Sequence, residues 1–334
     1  MMEDYFEIDW KKIKDELKSK NINTLFIELP EGLKQFIPEI DEKLKNFCLI
    51  YSGENVYGSC DTDIFIKTNG ILHFGHAPIP NLKYRENTFF AELKRKIEIN
   101  ENLLKSILDL KCKNIGLLAT VQYISLLDSL SDLLRHYDIK VYISKGDDRL
   151  FYPGQVLGCD FSSAEKIKDL VDCFLVLADG TFHANGIFMS TNKNTYAAEP
   201  ITGKISKIEN DRFLRERYLQ MERARSAMKI GILVSTKIGQ YRINIAKKIK
   251  DEIIKNGKKG YIVVLNEITS NKLQNLNFDA FVNTACPRIT LDDVSLYDKP
   301  ILTPMEMEMA LGIIPNNNYI IDRINYVDNI GKIL

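Results

Sequence analysis

The feature that most constrains this 334-residue chain is a pattern that occurs three times. Each time, an apolar strand leads through a loop to a helix, and further apolar strands follow. We predict the first strands of the three repeats at residues 24–29, 115–120 and 230–236. Short apolar strands that alternate with helices are typical of parallel sheets covered on both faces. The pattern therefore predicts an α/β protein.

The repeats divide the chain into three similar units, each a short parallel sheet flanked by helices. We expect the units to be arranged around a pseudo-threefold centre. The predicted units are residues 1–105, 106–206 and 207–334. The last helix has a well-marked start, because Thr303, Pro304 and Glu306 supply an N-cap, a first-turn proline and a capping-box acid.

Charge and hydropathy exclude some classes of function. The chain has 45 Lys and Arg residues and 45 Asp and Glu residues, so its formal net charge is zero. A nucleic-acid-binding surface needs an excess of positive charge, and we therefore expect no direct nucleic-acid partner. The amino terminus has no secretory signal pattern, and no apolar run approaches the roughly 20 residues of a membrane helix. We expect a cytoplasmic protein without a membrane partner.

The six cysteines fall into two groups. Cys48 and Cys173 lie within predicted apolar strands and Cys112 lies at the entry to one, so we expect these three to be small buried side chains. Cysteines of a reducing cytosol are more often buried, metal-bound or reactive than disulfide-bonded. The other three lie in loops rich in Gly, Ser, Pro or Asp, one in each predicted unit: Cys60, Cys159 and Cys286.

The loop cysteines suggest a metal site, because functional groups in open parallel sheets collect at the carboxyl ends of the strands. Three thiolates could bind three irons of a cubane and leave the fourth iron open to a substrate. The sequence separations, 159−60 = 99 and 286−159 = 127, match no local metal motif. Spacing alone thus leaves two readings open, a shared cluster and three unremarkable loop cysteines.

The amino-acid sequences of these loops resemble those of a known family. The three cysteine segments resemble those of the archaeal diphthamide synthases, which are 3-amino-3-carboxypropyl transferases. Four other segments match in the same order along the chain. The cysteine segments are Tyr57-Gly58-Ser59-Cys60-Asp61, Gly154-Gln155-Val156-Leu157-Gly158-Cys159-Asp160 and Asn283-Thr284-Ala285-Cys286-Pro287-Arg288. The others are Leu29-Pro30-Glu31-Gly32-Leu33, His73-Phe74-Gly75-His76, Ala119-Thr120-Val121-Gln122 and Leu302-Thr303-Pro304.

The resemblance implies an enzyme of the first step of diphthamide biosynthesis, a 2-(3-amino-3-carboxypropyl)histidine synthase. It implies a homodimer whose protomers each hold a [4Fe–4S] cluster on Cys60, Cys159 and Cys286. S-adenosylmethionine would be cleaved reductively to methylthioadenosine and a 3-amino-3-carboxypropyl radical. The radical would attack the imidazole C2 carbon of a histidine on translation elongation factor 2. The electron donor is unidentified.

The resemblance also implies residues for S-adenosylmethionine. A guanidinium fork suits a carboxylate, and Arg288 lies two residues from Cys286. Gln240 follows the first strand of the third unit, and equivalents of this Gln and Arg contact the methionine moiety in the family. We expect His76 and His183, which follow third strands, to support that site without binding the cluster. His73 is expected to be structural.

Two other functions remain open at this point. One is a dehydratase like quinolinate synthase, which also uses three α/β units and a cluster with one open iron, although its motifs are not evident. The other is a non-catalytic supporting subunit, which would be expected to lose a ligand cysteine. A further arginine-rich stretch, residues 211–225, is interpreted as the solvated face of a helix.

Overall fold

The computed structural model describes residues 1–63, 66–209, 211–292, 294–315 and 319–328. By contacts between Cα atoms it divides into two compact units. The first compact unit comprises Met1–Val156, Ser162–Thr181 and Lys193–Lys207. The second compact unit comprises Leu157–Phe161, Phe182–Asn192 and Ile208–Leu334. None of the described helices is long and apolar enough to cross a lipid bilayer.

The first predicted repeat forms a parallel sheet of four strands. Its order is β3-β2-β4-β5, so the first strand lies in the middle beside the third. A short antiparallel pair, β1 with β6, lies apart from it. The strands are β1 Phe6–Glu7, β2 Thr24–Glu28, β3 Cys48–Tyr51, β4 Gly70–Phe74, β5 Thr88–Ala91 and β6 Lys94–Arg95. Every residue of β4 is buried, as expected for a central strand covered on both faces.

The second and third repeats form sheets with the same order of their first four strands. The second sheet is β11-β10-β9-β7-β8, in which the edge strand β11 pairs antiparallel with β10. The third sheet is β13-β12-β14-β15 and is parallel throughout. The strands are β7 Asn114–Ala119, β8 Lys140–Tyr142, β9 Cys173–Leu177, β10 Asn194–Glu199, β11 Lys204–Lys207, β12 Lys229–Ser235, β13 Lys259–Leu265, β14 Ala280–Asn283 and β15 Ile301–Leu302.

Helices alternate with the strands along the chain, as the sequence pattern predicted. The α-helices are α1 Trp10–Ser19, α2 Ile37–Lys43, α3 Glu101–Leu108, α4 Leu126–Arg135, α5 Ser162–Glu165, α6 Phe182–Thr191, α7 Asp211–Arg225, α8 Ile243–Lys255, α9 Ser270–Gln274, α10 Pro287–Leu291 and α11 Pro304–Ala310. Short 3-10 turns lie at Met2–Asp4, Glu31–Phe36, Ser59–Asp61, Val121–Tyr123, Lys168–Leu170 and Val294–Leu296. The predicted capping box of α11 is formed, with Thr303 Oγ1 accepting from Glu306 N.

Parallel sheets flanked by helices are thus confirmed, and each predicted unit contains the four parallel strands of one sheet. The three unit boundaries and the pseudo-threefold arrangement stay predictions. One helix departs from its interpretation. Arg217 of α7 is fully buried and forms an ion pair with Glu306 at 2.7 Å, so the arginine-rich stretch is not solvated all along its length.

The cysteines expected to be small buried side chains behave differently. Cys112 and Cys173 form a disulfide bond within the first compact unit, and Cys48 is exposed at the amino end of β3. The expectation of a small buried side chain was therefore wrong for Cys48. For Cys112 and Cys173 it did not include the disulfide bond. Cys112 and Cys173 are 61 residues apart in sequence, and only the pairing of β7 with β9 brings them together.

Candidate active site

The three loop cysteines form no disulfide bond and are all partly exposed. Cys60 lies in the 3-10 turn Ser59–Asp61, in the loop between β3 and β4. Cys159 and Gly158 form the tip of a tight turn in which Leu157 and Asp160 pair through their backbones at 3.3 Å. Cys286 is the N-cap of α10 and follows β14. Cys60 belongs to the first compact unit, and Cys159 and Cys286 belong to the second.

The segment around Cys60 is held by a side chain of β2 and by one from the loop between β4 and β5. Asp63, three residues beyond it, donates its backbone N–H to Glu28 Oε1 at 2.6 Å. The Tyr84 hydroxyl is hydrogen-bonded to Ser59 and accepts from Ile79 N at 2.8 Å. A Cβ atom on Gly58 would lie 3.3 Å from the Cys60 sulfur. Glycine at that position therefore leaves space beside the thiol.

The Cys286 loop is fixed by two buried polar residues. Asn283 Nδ2 donates to the Cys286 carbonyl at 2.8 Å, and its Oδ1 accepts from Ala285 N at 2.9 Å. Arg242 Nε donates to the Thr284 carbonyl at 2.6 Å. The same guanidinium forms an ion pair with Asp322 at 2.5 Å. Buried backbone groups need partners, and these bonds give the loop one geometry.

Residues 319–328 contact both cysteine loops of the second compact unit. Asp322 reaches the Cys286 loop through Arg242, as described above. Ile324 donates its backbone N–H to the Cys159 carbonyl at 3.0 Å. A Cβ atom on Gly158 would lie 2.2 Å from the Phe182 ring, so only glycine allows this turn to approach α6 so closely. The segment therefore helps to fix two of the three predicted ligands.

Of the residues predicted to bind or support S-adenosylmethionine, Arg288 and His183 lie close to each other, and Gln240 lies in another loop. Arg288 stacks on the Phe182 ring, with 4.6 Å from its Cζ to the ring centroid, and it pairs with Asp292 at 3.0 Å. His183 follows Phe182 in α6, and its buried Nδ1 bonds to no described residue. Burial and, less strongly, the charge of Arg288 lower the pKa of His183 to about 4. Gln240 is buried in the loop after β12.

The predicted residue His76 belongs to a hydrogen-bonded chain. Glu28 Oε2 lies 2.7 Å from His73 Nδ1, and His73 Nε2 lies 2.9 Å from His76 Nδ1. Glu28 ends β2, His73 lies in the neighbouring β4, and the parallel register pairs the two. Burial raises the pKa of Glu28 to about 8 and lowers that of His73 to about 3. Both groups are therefore favoured in their neutral forms.

Three of the segments that carry the family resemblance meet at the turn before His76. Gly75 has φ +86°, a conformation that favours glycine, and a Cβ atom there would lie 3.1 Å from Pro30. Gln122 Nε2 donates to the Gly75 carbonyl at 2.7 Å. The segments beginning at Leu29, His73 and Ala119 thus share one small region of the first compact unit.

Sequence reasoning missed Glu28, Arg242 and Asp322. Glu28 lies in a strand that is otherwise apolar, and nothing in the sequence shows that its partner is His73. Arg242 and Asp322 are 80 residues apart in sequence. Among the residues that the structure describes, no three His, Cys, Asp or Glu side chains form a group able to hold a metal ion.

The fold and these loops define a class: an α/β protein of largely parallel sheets, in which partly exposed cysteines lie in loops that follow sheet strands. A family model described as "Putative diphthamide synthesis protein" matches residues 29–320. The chain belongs to this diphthamide synthesis family. The family resemblance of the sequence is thereby confirmed.

Individual relatives agree with this membership. The chain is 35% identical to the 2-(3-amino-3-carboxypropyl)histidine synthase of Pyrococcus horikoshii, covering 92% of this chain and 91% of that protein. It is 27% identical to the enzyme of the same name from Methanocaldococcus jannaschii, covering 92% and 90%. The crystal structure of Dph2 from Pyrococcus horikoshii with a 4Fe-4S cluster has a TM-score of 0.90 and 32% identity, covering 97% and 96%. The prediction of an enzyme of diphthamide biosynthesis is confirmed at this level.

Proposed function

We propose that this enzyme transfers the 3-amino-3-carboxypropyl group of S-adenosylmethionine to the imidazole C2 carbon of a histidine on translation elongation factor 2. Methylthioadenosine is the second product. One observation carries the proposal: a chain 35% identical to a 2-(3-amino-3-carboxypropyl)histidine synthase retains a thiol in each of the three cysteine segments. The alternatives, a dehydratase and a supporting subunit, differ in their products and are separated by the test below.

The donor set fits a [4Fe–4S] cluster bound by Cys60, Cys159 and Cys286. Thiolates are the soft ligands that iron–sulfur clusters use. Each of the three is a partly exposed thiol in a loop that follows a sheet strand. Cys48 lies at the opposite, amino end of β3, and Cys112 and Cys173 are bonded to each other. A bound cluster would supply the electron that cleaves the sulfonium bond to the methionine γ-carbon.

Arg288, Gln240 and His183 would bind or support S-adenosylmethionine. The Arg288 guanidinium is more than half exposed, so its fork can receive a carboxylate. Stacking on Phe182 orients the guanidinium plane. The buried Nδ1 of His183 would lie beneath this arginine and stay uncharged, because burial keeps its pKa low. His76 would act on the acceptor imidazole.

The partners follow from the same proposal. Elongation factor 2 is the protein substrate, which places the enzyme in the cytoplasm, and an unidentified donor supplies electrons. We further propose that the enzyme is a homodimer. The observation in its favour is the edge strand β13, on which Tyr261 and Val264 are 43% and 53% exposed. An exposed apolar sheet edge is a template for pairing with a second chain. Light scattering on the wild type and on Val264→Lys tests this, and a monomeric wild type would contradict it.

The decisive experiment is an anaerobic product analysis. Purified protein is assayed for iron and sulfide, then mixed with dithionite, S-adenosylmethionine and elongation factor 2. We expect methylthioadenosine and a factor carrying the 3-amino-3-carboxypropyl group on one histidine. Deoxyadenosine as the main product would contradict the proposed bond cleavage. A cluster without any cleavage of S-adenosylmethionine would favour the dehydratase or the supporting subunit.

Matched cysteine variants test the ligand assignment. We expect Cys60→Ser, Cys159→Ser and Cys286→Ser each to lower bound iron and to abolish methylthioadenosine formation. Cys48→Ser is the control, since Cys48 is exposed on the first residue of a strand. Full iron content and full activity in any of the three ligand variants would remove that cysteine from the assignment.

A further inference from the structure

Glu28, His73 and His76 form a chain of hydrogen bonds from the interior of the first compact unit towards its surface. Glu28 and His73 are 1% and 0% exposed, whereas His76 is half-buried. The bonds join Glu28 Oε2 to His73 Nδ1 at 2.7 Å and His73 Nε2 to His76 Nδ1 at 2.9 Å. The His76 ring is also hydrogen-bonded to the backbone of Phe74, and it is the partly exposed end of the chain, which a substrate can reach.

The chain has two self-consistent proton arrangements. In the first, Glu28 is ionised and accepts from His73 Nδ1–H, His76 Nδ1–H donates to His73 Nε2, and His76 Nε2 is a bare acceptor. In the second, the Glu28 carboxyl donates to His73 Nδ1, His73 Nε2–H donates to His76 Nδ1, and His76 Nε2 carries a proton. A proton accepted by His76 Nε2 therefore reaches Glu28 Oε2 by two transfers along existing hydrogen bonds.

The surroundings determine where the chain holds a proton. Burial lowers the pKa of His76 to about 3, as it does for His73, so a proton taken up at His76 is passed inward and held by Glu28. The chain can take up a proton while Glu28 is ionised, a form that becomes populated as the pH approaches 8.

The pKa of Glu28 is raised to about 8, first by burial and also by the charge of Asp63, although the Asp63 N–H opposes this. A base works best when its pKa lies near the operating pH. The other groups close to the chain are the Phe90 ring, 5.4 Å from His73, and Tyr84, which packs on Phe90. Neither is a charged group at neutral pH.

The chain is tied to the segment that holds Cys60 at both of its ends. At the inner end, Glu28 Oε1 accepts from Asp63 N. At the outer end, the residues after His76 lead to Ile79, which donates to the Tyr84 hydroxyl, and Tyr84 is bonded to Ser59. Gly75, whose carbonyl accepts from Gln122, fixes the turn that aims His76. The relay and the Cys60 loop are thus parts of one structure.

We infer that Glu28, His73 and His76 are a proton relay that removes the proton displaced from the acceptor imidazole. This inference rests on the proposed transfer. In that reaction the S–Cγ bond of S-adenosylmethionine and the C2–H bond of the acceptor break, and the C2–Cγ bond forms. A bound iron–sulfur cluster would take back the electron used for cleavage as the adduct regains its aromatic ring. The net products are methylthioadenosine, the modified histidine and one proton, which His76 Nε2 accepts.

The first test compares two partial reactions in relay variants. Glu28→Gln fixes an amide against His73, and His76→Gln removes the outer base. We expect transfer to elongation factor 2 to fall on the order of 100-fold in both variants, a much larger loss than that of methylthioadenosine formation, at wild-type iron content. His136→Gln, an exposed histidine of the same compact unit, is the control and should transfer normally. Equal loss of cleavage and transfer, or unchanged transfer, would overturn the relay.

The second test is an isotope effect that a purely structural role would not change. The acceptor is prepared with deuterium on the imidazole C2. With wild-type enzyme the relay makes loss of this atom fast, so transfer rates for the two isotopes should be equal. In His76→Gln the same step becomes slow, and a primary isotope effect should appear. Its absence would overturn the inference. If wild-type enzyme forms no methylthioadenosine, the proposed function itself has failed, and the relay with it.

Discussion

Glu28 is a carboxyl group that folding places at the end of a buried strand against His73. Its pKa rises from 4.5 to about 8, so the folded chain binds a proton that the unfolded chain releases between those values. Stability therefore falls as pH rises through that range. The pKa of His73 drops from 6.5 to about 3, which has the opposite effect below pH 6.5. Between about pH 4.5 and pH 6.5 the contributions of Glu28 and His73 to the pH dependence of stability cancel. Above pH 6.5 only the loss of stability caused by Glu28 remains.

We therefore predict that Glu28→Gln changes the pH profile of stability. Between pH 6.5 and 8 the free energy of unfolding of the wild type should fall by at most about 1.4 kcal/mol per pH unit because of this group. The variant should lack this decrease. Denaturant unfolding of both proteins at pH 6.5 and pH 8 measures the difference. Parallel profiles would show that Glu28 does not hold its proton in the folded state.

At the scale of elements, a buried ion pair links helix α7 to helix α11. Arg217 and Glu306 are both fully buried, and Arg217 also donates to the carbonyls of Thr290 and Ile301. Removing one partner of a buried pair leaves an uncompensated charge and costs about 3–5 kcal/mol. We predict that loss for Arg217→Met in urea unfolding. Arg215→Met, on the exposed part of the same helix, should stay within about 0.5 kcal/mol of wild type.

Residues 319–328 allow a prediction about the second compact unit. Ile324→Pro removes the N–H that the Cys159 carbonyl accepts. We expect the variant to fold but to retain less iron after anaerobic reconstitution, because the Cys159 turn loses its anchor. Ile324→Val keeps the N–H and nearly the same buried side chain, so its iron content should equal that of wild type. Equal iron in both variants would show that the anchor is dispensable.

The elements themselves were largely predictable, and the contacts between them were not. The first strands were predicted to within one residue, since apolar runs and loop residues mark them. The cysteine loops and His76 were singled out because their sequences resemble those of the family, and their roles stay predictions. Glu28 and Arg242 were missed because their partners are distant in sequence, and only the register of a sheet or a folded segment brings such groups together. Arg217 looked like its exposed neighbours because burial of one helix face depends on what packs against it.

At the scale of the whole molecule, a disulfide bond crosslinks the first compact unit. Cys112 and Cys173 are 61 residues apart in sequence. A disulfide bond that closes a loop of this length restricts the unfolded chain and thereby stabilises the folded protein by about 4 kcal/mol. We predict that Cys112→Ala lowers the free energy of unfolding by up to that amount under oxidising conditions. The reductant-treated wild type should show the same loss. Cys48→Ala is the control, and equal stability of all three samples would exclude the crosslink.

The chain passes between the two compact units five times, at residues 156–157, 161–162, 181–182, 192–193 and 207–208. Neither compact unit is one continuous piece of sequence. We therefore expect that a cut at a single site cannot yield two independently folding halves. The three predicted units are continuous in sequence, and they describe the repeat of strands and helices.

The position of Ile324 has a consequence for biosynthesis. The carbonyl of Cys159 finds its partner 165 residues later in the chain, since 324−159 = 165. A ribosome that has completed both other cysteine loops has still not made the segment that anchors this turn. Iron loading of the nascent chain would thus have to wait until the segment around Ile324 has been made and has folded against the Cys159 turn.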